Sequence, residues 1–384
     1  MANIDFSDMR PFEPEELPAA YDQLLSDPMF CKVVGYVFPD IPLDVLAERM
    51  RSCRTCLEFQ RMFCAPFLDG IIQKCSDGLT GDFSSVSPTL ERQNYTYISN
   101  HRDIVLDSGL LDLLFVHDGL PTVEIAIGDN LLIYPWIKTL VRINRSFIVT
   151  RSGGLHDILI ASNRLSAYMH HAVSDKGSSI WIAQREGRSK DSQDHTQESL
   201  LKMLAIAGEG SLKERLKALH ITPLAISYEY DPCDWLKAKE FQQKRDIEGF
   251  HKSPSDDLIN MRTGIFGRKG HIHYQTAPCI DDYLDTLPDN LSKQEFFAVV
   301  AEHIDRCIYA NYRLFPGNYI ALDMLEGNAL RANRYTEEEK QTFEAYLAGQ
   351  LANIDLTDKD ESFLRHKMLE MYANPARHQL ELQG

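Results

Sequence analysis

In the segment NHRDIVLDSGLL, residues 100–111, His101 is followed by two carboxylates, Asp103 and Asp107, where a short apolar-aromatic run gives way to an amphipathic one. A histidine at a strand-to-helix junction, with an acid about one helical turn further on, makes a general base. The acid fixes the ring tautomer, and the other ring nitrogen is free to take a proton from a hydroxyl. Either aspartate suits that role by position, and Asp103 also has a structural reading in which it caps or charges the first helical turn. His101-Arg102-Asp103 also spells the opening of a protein-kinase catalytic loop, but that reading fails. The position for a metal-binding asparagine is Ser108, the nearby Asp82-Phe83 pair precedes the loop instead of following it, and no glycine-rich loop or lysine-bearing strand lies upstream.

The surrounding chain alternates. YTYIS, VEIAIG, SFIVTR, SSIWIAQ and ITPLAISYEY read as strands. Between them run a helix from about Asp103 to Val116, the apolar NLLIYPWIKTLVRI (helix or hairpin), the long HDILIASNRLSAYMHHAV and the shorter QESLLKMLAIAG. This predicts an α/β fold with a mostly parallel sheet flanked by helices. Residues 1–90 read as a helical N-terminal region, with GLTGDFSSVSPTLERQ as a polar boundary loop. Residues 91–285 form the α/β core, including a further strand in HIHYQTAP. Residues 286–384 form a second helical region whose end, from about Ala373, reads as a frayed polar tail.

The totals exclude several classes. A net charge of −16 over 384 residues opposes nucleic-acid binding, which needs a basic face. No apolar run reaches the roughly 18–20 residues that cross a bilayer. MANIDFSDMRPFEPEELP is acidic, without a basic-then-apolar leader pattern, so a cytoplasmic location is expected. Of eight cysteines only Cys53 and Cys56 form a CxxC pair, and the absence of a second pair predicts buried helix thiols, not a zinc site. His271 and His273 share one face of a strand with no third ligand evident nearby, so a solvated pair and no metal are expected.

Four segments, in order over residues 95–230, resemble the blocks of the glycerolipid acyltransferase family, which includes the glycerol-3-phosphate and lysophosphatidic acid acyltransferases. NHRDIVLDSGLL resembles the His-x4-Asp block, with one extra residue between His101 and Asp107. Leu110 and Leu111 match the leucines that follow the acid there, which aligns Asp107 and leaves Asp103 as its rival. SFIVTR, ending in Arg151 and followed by Ser152-Gly153-Gly154, is similar to the second block. Glu186-Gly187-Arg188-Ser189 resembles the third, one residue short. Pro223 in ITPLAISY supplies the fourth.

The resemblance implies a glycerolipid-acyltransferase-like core and an O-acyltransferase of phospholipid biosynthesis. In it His101 is the base, Asp107 its orienter, and Arg151, Glu186, Gly187, Arg188 and Ser189 form the substrate site. Arginine forks suit phosphate oxygens. No bound cofactor is implied; the co-substrate is an acyl-CoA or acyl carrier protein thioester. The implied partners are that donor, a lipid acceptor and a membrane surface, with the protein peripheral to the inner face of the cytoplasmic membrane.

LLIYPWIKTLVRINRSFIVTR carries Lys138, Arg142, Arg145 and Arg151 and no acid. It reads either as an interfacial helix doubling as a docking patch for an acidic carrier, or as a core helix with a solvated basic edge. Two further alternatives stand: a catalytically silent lipid- or carrier-binding protein on the same fold, and an acyltransferase acting on an amino-acid-headed lipid.

Overall fold

The computed structural model describes residues 4–86, 92–151 and 153–383, so Ser152 and residues 87–91 of the boundary segment lie outside the described residues. Seven strands form one sheet: β1 (Gly78–Asp82), β2 (Thr96–Ser99), β3 (Glu124–Gly128), β4 (Ser146–Val149), β5 (Ile180–Ala183), β6 (Ile221–Tyr228) and β7 (His271–Thr276). Their order is β1-β7-β6-β2-β5-β3-β4. The block from β6 to β4 is parallel throughout. β7 runs antiparallel to β6, and β1 is parallel to β7, so the mostly parallel sheet ends in a reversed pair.

Both faces are covered, which is why the central strand β2 is buried at every position. Consecutive residues feed opposite cores. Ile98 packs with Tyr168 of the Leu155–His170 helix and Phe297 and Val300 of the Lys293–Ala310 helix. Tyr97 packs with Leu110, Leu111 and Phe115 of the Leu106–His117 helix. The C-terminal helices bury a third cluster around Tyr372 and Phe343, and the N-terminal helices a fourth around Tyr21 and Phe59.

Two expectations are corrected and one open alternative is decided. GLTGD is not loop but β1: as an edge strand it pairs on one side only and needs no apolar alternation. The chain beyond Ala373 is not frayed. It continues the Glu361–Glu381 helix, with Ala373, Ala376 and His378 buried and the Asn374 amide donating to the Asp191 carbonyl at 2.6 Å. The basic stretch is a core helix, Pro135–Ile143. Trp136 packs on Phe30 within the N-terminal cluster, and Arg142 turns inward, capping the Arg10 carbonyl at 2.7 Å with its guanidinium over the Phe12 ring. Arg145 donates to the Ser178 hydroxyl and faces buried Glu124 at 3.9 Å. Those two arginines are used internally, so they form no docking patch; only Lys138 and Arg151 of the four stay exposed.

Candidate functional site

His101 leaves the carboxyl end of β2, where open α/β sheets place their ligands. The strand end is pinned by side chains. The Asn100 amide donates to the Ile226 carbonyl and its oxygen accepts the Ile226 N–H, at 2.9 and 2.8 Å, continuing the ladder between β2 and β6. The Trp181 indole donates to the Ser99 hydroxyl at 3.0 Å and meets the His101 ring edge-on at 5.9 Å. An Asn closing an apolar strand was the signal for the first of these contacts; nothing local marked the second.

His101 Nδ1 lies 2.8 Å from Asp107 Oδ2, and Asp107 is fully buried. The same oxygen accepts the backbone N–H groups of Arg102 at 2.6 Å and Asp103 at 3.0 Å. With Asp107 as acceptor, the ring proton sits on Nδ1 and Nε2 carries the lone pair. Ile104 and Val105 form the turn before the helix starts at Leu106, which brings Asp107 back to His101. Asp103 takes the other role foreseen for it: its Oδ1 accepts the N–H groups of Val105 and Leu106, both at 2.8 Å, capping the helix. Burial, reinforced by the neighbouring Asp107 charge, raises the Asp103 carboxyl above the usual range. The geometry therefore pairs His101 with Asp107 and not with Asp103.

His101 opens on a cavity of about 790 Å³, within the range of small-molecule sites. Its apolar arm is the part of the lining that comprises Gly109 of the Leu106–His117 helix, Ile125 of β3, Leu68 and Cys64 of the N-terminal helices and Leu140 of the Pro135–Ile143 helix. The mouth is polar and carries Arg151, Arg185, Glu186, Gly187, Lys252 and Asp257. Gly128 makes room for Arg151, since a Cβ there would lie 2.9 Å from Arg151 Nε. Gly187 has φ +70°, a left-handed turn that favours glycine. Arg151 reaches Glu186 at 3.4 Å across exposed ground.

Two of the expected substrate residues lie behind this mouth. Ser189 is buried, and its N–H donates to the His101 carbonyl at 3.2 Å, so it braces the His101 loop. Arg188 is half-buried; Nη2 donates to the Asn260 side chain at 3.0 Å, while Nη1 is buried without a partner. Arg185, which is not among the residues expected from the sequence, lines the cavity with its Nε likewise buried and unpartnered. Its only local signal was a second arginine beside the Glu186-Gly187 pair, on the side opposite Arg188.

Lys190 is bonded to Glu240, which also holds Lys252 at 3.1 Å. Burial pushes Glu240 up, but the hydrogen bond and charge of Lys190, helped by Lys252, outweigh it and carry the carboxyl down to about 2. Beneath the His101 loop, Arg102 pairs with the fully buried Asp194 at 2.6 Å, and Tyr312 donates to that same carboxylate. This brace reaches the loop from distant segments and had no sequence signal.

The expected histidine pair is split. His273 bonds Thr80, whereas His271 sits with Asp77 and Glu229, their ligand atoms within 4.8 Å of one another; the expectation that no third ligand stands nearby is corrected. No protein-family model matches the chain, and no curated protein is similar to it in sequence.

Proposed function

We propose that this protein is an acyltransferase of membrane lipid synthesis, moving a fatty acyl group from a thioester donor to the hydroxyl of a glycerol-phosphate-type acceptor. The observation that carries the reading is the His101–Asp107 pair opening on a cavity with one apolar arm and an arginine-bearing mouth. The apolar arm suits an acyl chain, and the mouth suits a phosphate. Arg151 and Arg185 offer planar donors there, with Arg188 just behind, its Nη1 in need of an acceptor.

In this mechanism Nε2 of His101 takes the acceptor hydroxyl proton as the oxygen attacks the thioester carbonyl carbon. The tetrahedral intermediate collapses, the C–S bond breaks, and the leaving thiolate takes the proton back from the imidazolium. Asp107 stabilises that imidazolium and, through three donors on one oxygen, holds the ring's orientation. The donor is acyl-CoA or an acyl carrier protein thioester, used as co-substrate, with no bound cofactor in the reaction.

Exposed apolar groups on helices that border the cavity favour work at a membrane surface. Ile158, Leu159 and Ile160 on the Leu155–His170 helix, Leu258 and Ile259 on the Pro254–Phe266 helix, and Ile133 and Tyr134 before the Pro135–Ile143 helix are exposed aliphatic and aromatic groups, and Ile133 and Leu258 of these line the cavity. No helix among the described residues is long and apolar enough to cross a bilayer. A second acceptor class, an amino-acid-headed lipid, is favoured by Glu186 and Asp257 at the mouth, which offer carboxylates to an ammonium. Incubation with a long-chain acyl-CoA and a panel of glycerol-3-phosphate, lysophosphatidic acid and an amino-acid-headed lysolipid, with products read by mass spectrometry, tests the proposal. An acylated glycerol phosphate is the expected product; hydrolysis to free fatty acid with every acceptor would refute transfer.

A further inference from the structure

At the end of the sheet opposite His101, the turn entering β6 and the connection leaving β7 bring together an imidazole, a thiol and a carboxylate. His220, Cys279 and Asp281 have ligand atoms that all lie within 4.8 Å of one another. They are placed there by backbone pairing. The Ala277 and Ile280 N–H groups donate to the Pro223 and Ile221 carbonyls, both at 2.9 Å, which lays residues 277–280 along the start of β6. We propose that this cluster is a Zn2+ site, binding the ion through His220 Nδ1, Cys279 Sγ and an Asp281 carboxylate oxygen, with water as fourth ligand.

Three observations beyond proximity support it. The donor set is mixed nitrogen, sulfur and oxygen, which a borderline-soft, geometry-tolerant ion such as Zn2+ accepts and which Mg2+ or Ca2+ does not. Asp281 Oδ1 is buried with no nitrogen or oxygen donor, so the carboxylate's partners are the His220 ring and the Cys279 thiol, the other two members of the cluster. His220 holds φ +45°, a left-handed conformation that is uncommon for a residue with a Cβ and that aims its ring at Asp281, 2.6 Å away. Tetrahedral Zn2+ with bonds of about 2.0–2.3 Å spaces its ligands about 3.3–3.7 Å apart, so the cluster reaches that geometry through side-chain shifts of about an ångström.

The other such grouping, Asp77, Glu229 and His271, lacks this character. Glu229 already accepts both the backbone N–H and the ring of His271, and Asp77 pairs with Arg268. Bound at the first cluster, the ion would tie the central strand β6 to the return of β7, stapling the junction between the parallel block and the reversed pair.

The test is calorimetric titration of Zn2+ into chelator-stripped full-length protein, with Co2+ absorbance as a second readout. One equivalent should bind, Co2+ should show a thiolate charge-transfer band, and Zn2+ at about a hundred times its Kd should raise Tm by about 3 °C. Cys279→Ser should abolish the band and Cys307→Ser should leave it unchanged. His220→Gly, which the left-handed backbone accepts, should fold without metal and lose the Zn2+-dependent rise in Tm, so that a failure of Cys279→Ser to fold would not decide the matter. Absence of binding in the wild type, or a charge-transfer band and Tm rise that survive His220→Gly, would overturn the proposal.

Discussion

Replacing Asp107 and Asp103 in turn by asparagine separates catalysis from capping. In Asp107→Asn the two backbone N–H groups at 2.6 and 3.0 Å require an oxygen where Oδ2 stands, which keeps the amide from turning its NH2 toward His101. The ring tautomer is therefore preserved, and what is lost is the negative charge 2.8 Å from an imidazolium that forms during the reaction. Unit charges at that distance attract by about 6 kcal/mol at an effective dielectric near 20. The amide oxygen retains a neutral hydrogen bond, and the proton is only partly transferred at the transition state. The net loss is then about 3 kcal/mol, a roughly hundredfold fall in kcat. Asp103→Asn keeps an oxygen to cap Val105 and Leu106 and should lower kcat by less than about threefold. The assay is acceptor-dependent thiol release at saturating donor, with near-ultraviolet circular dichroism to confirm folding. Equal losses in the two variants, or the larger loss in Asp103→Asn, would refute the assignment.

Arg185→Gln should collapse the preference for glycerol-3-phosphate over glycerol by about 10- to 100-fold, one charged hydrogen bond's worth, as read from kcat/KM for the two acceptors. Gly109→Leu should shorten the accepted chain. A Cβ there meets Leu68 at 3.6 Å without strain, so the rest of the side chain enters the cavity; a chain-length series should lose long acyl donors by tenfold or more while keeping short ones. Asp112 is buried, and desolvation raises its carboxyl to about 7 despite the bond from the Val123 N–H. The folded chain thus holds a proton between about pH 4 and 7 that the unfolded chain releases, and stability falls as pH rises through that window. Asp112→Asn should flatten this slope in urea titrations run across the same pH range.

The parallel core was legible because its strands are covered on both faces and read as apolar runs, as in YTYIS and ITPLAISY. β1 was not, since GLTGD draws its stability from pairing with β7 almost two hundred residues away, and edge strands carry no apolar stripe. The last turns of the C-terminal helix, beyond Ala373, were hidden for a similar reason: Pro375 and a polar sequence argue locally against them, and only packing against distant segments favours them. Within the site, the type and spacing of His101 and its acids pointed to a paired histidine, which the geometry shows. The choice of acid depended on where the helix begins, which Asp103 decides by capping it. Arg188 and Ser189 sat in a motif-like stretch, but the chain turns left-handed at Gly187, with Glu186 and Gly187 at the cavity and Arg188 and Ser189 behind it.

The most direct test of the central claim is thiol release from a long-chain acyl-CoA and from an acyl carrier protein thioester, with and without glycerol-3-phosphate, for wild type and His101→Ala, with donor binding measured alongside. The account predicts release that depends on the acceptor in the wild type, falls by about 10³-fold or more in the variant, and leaves donor affinity unchanged. No release from either protein, while both bind the donor equally, would contradict it and identify the cavity as that of a silent binder.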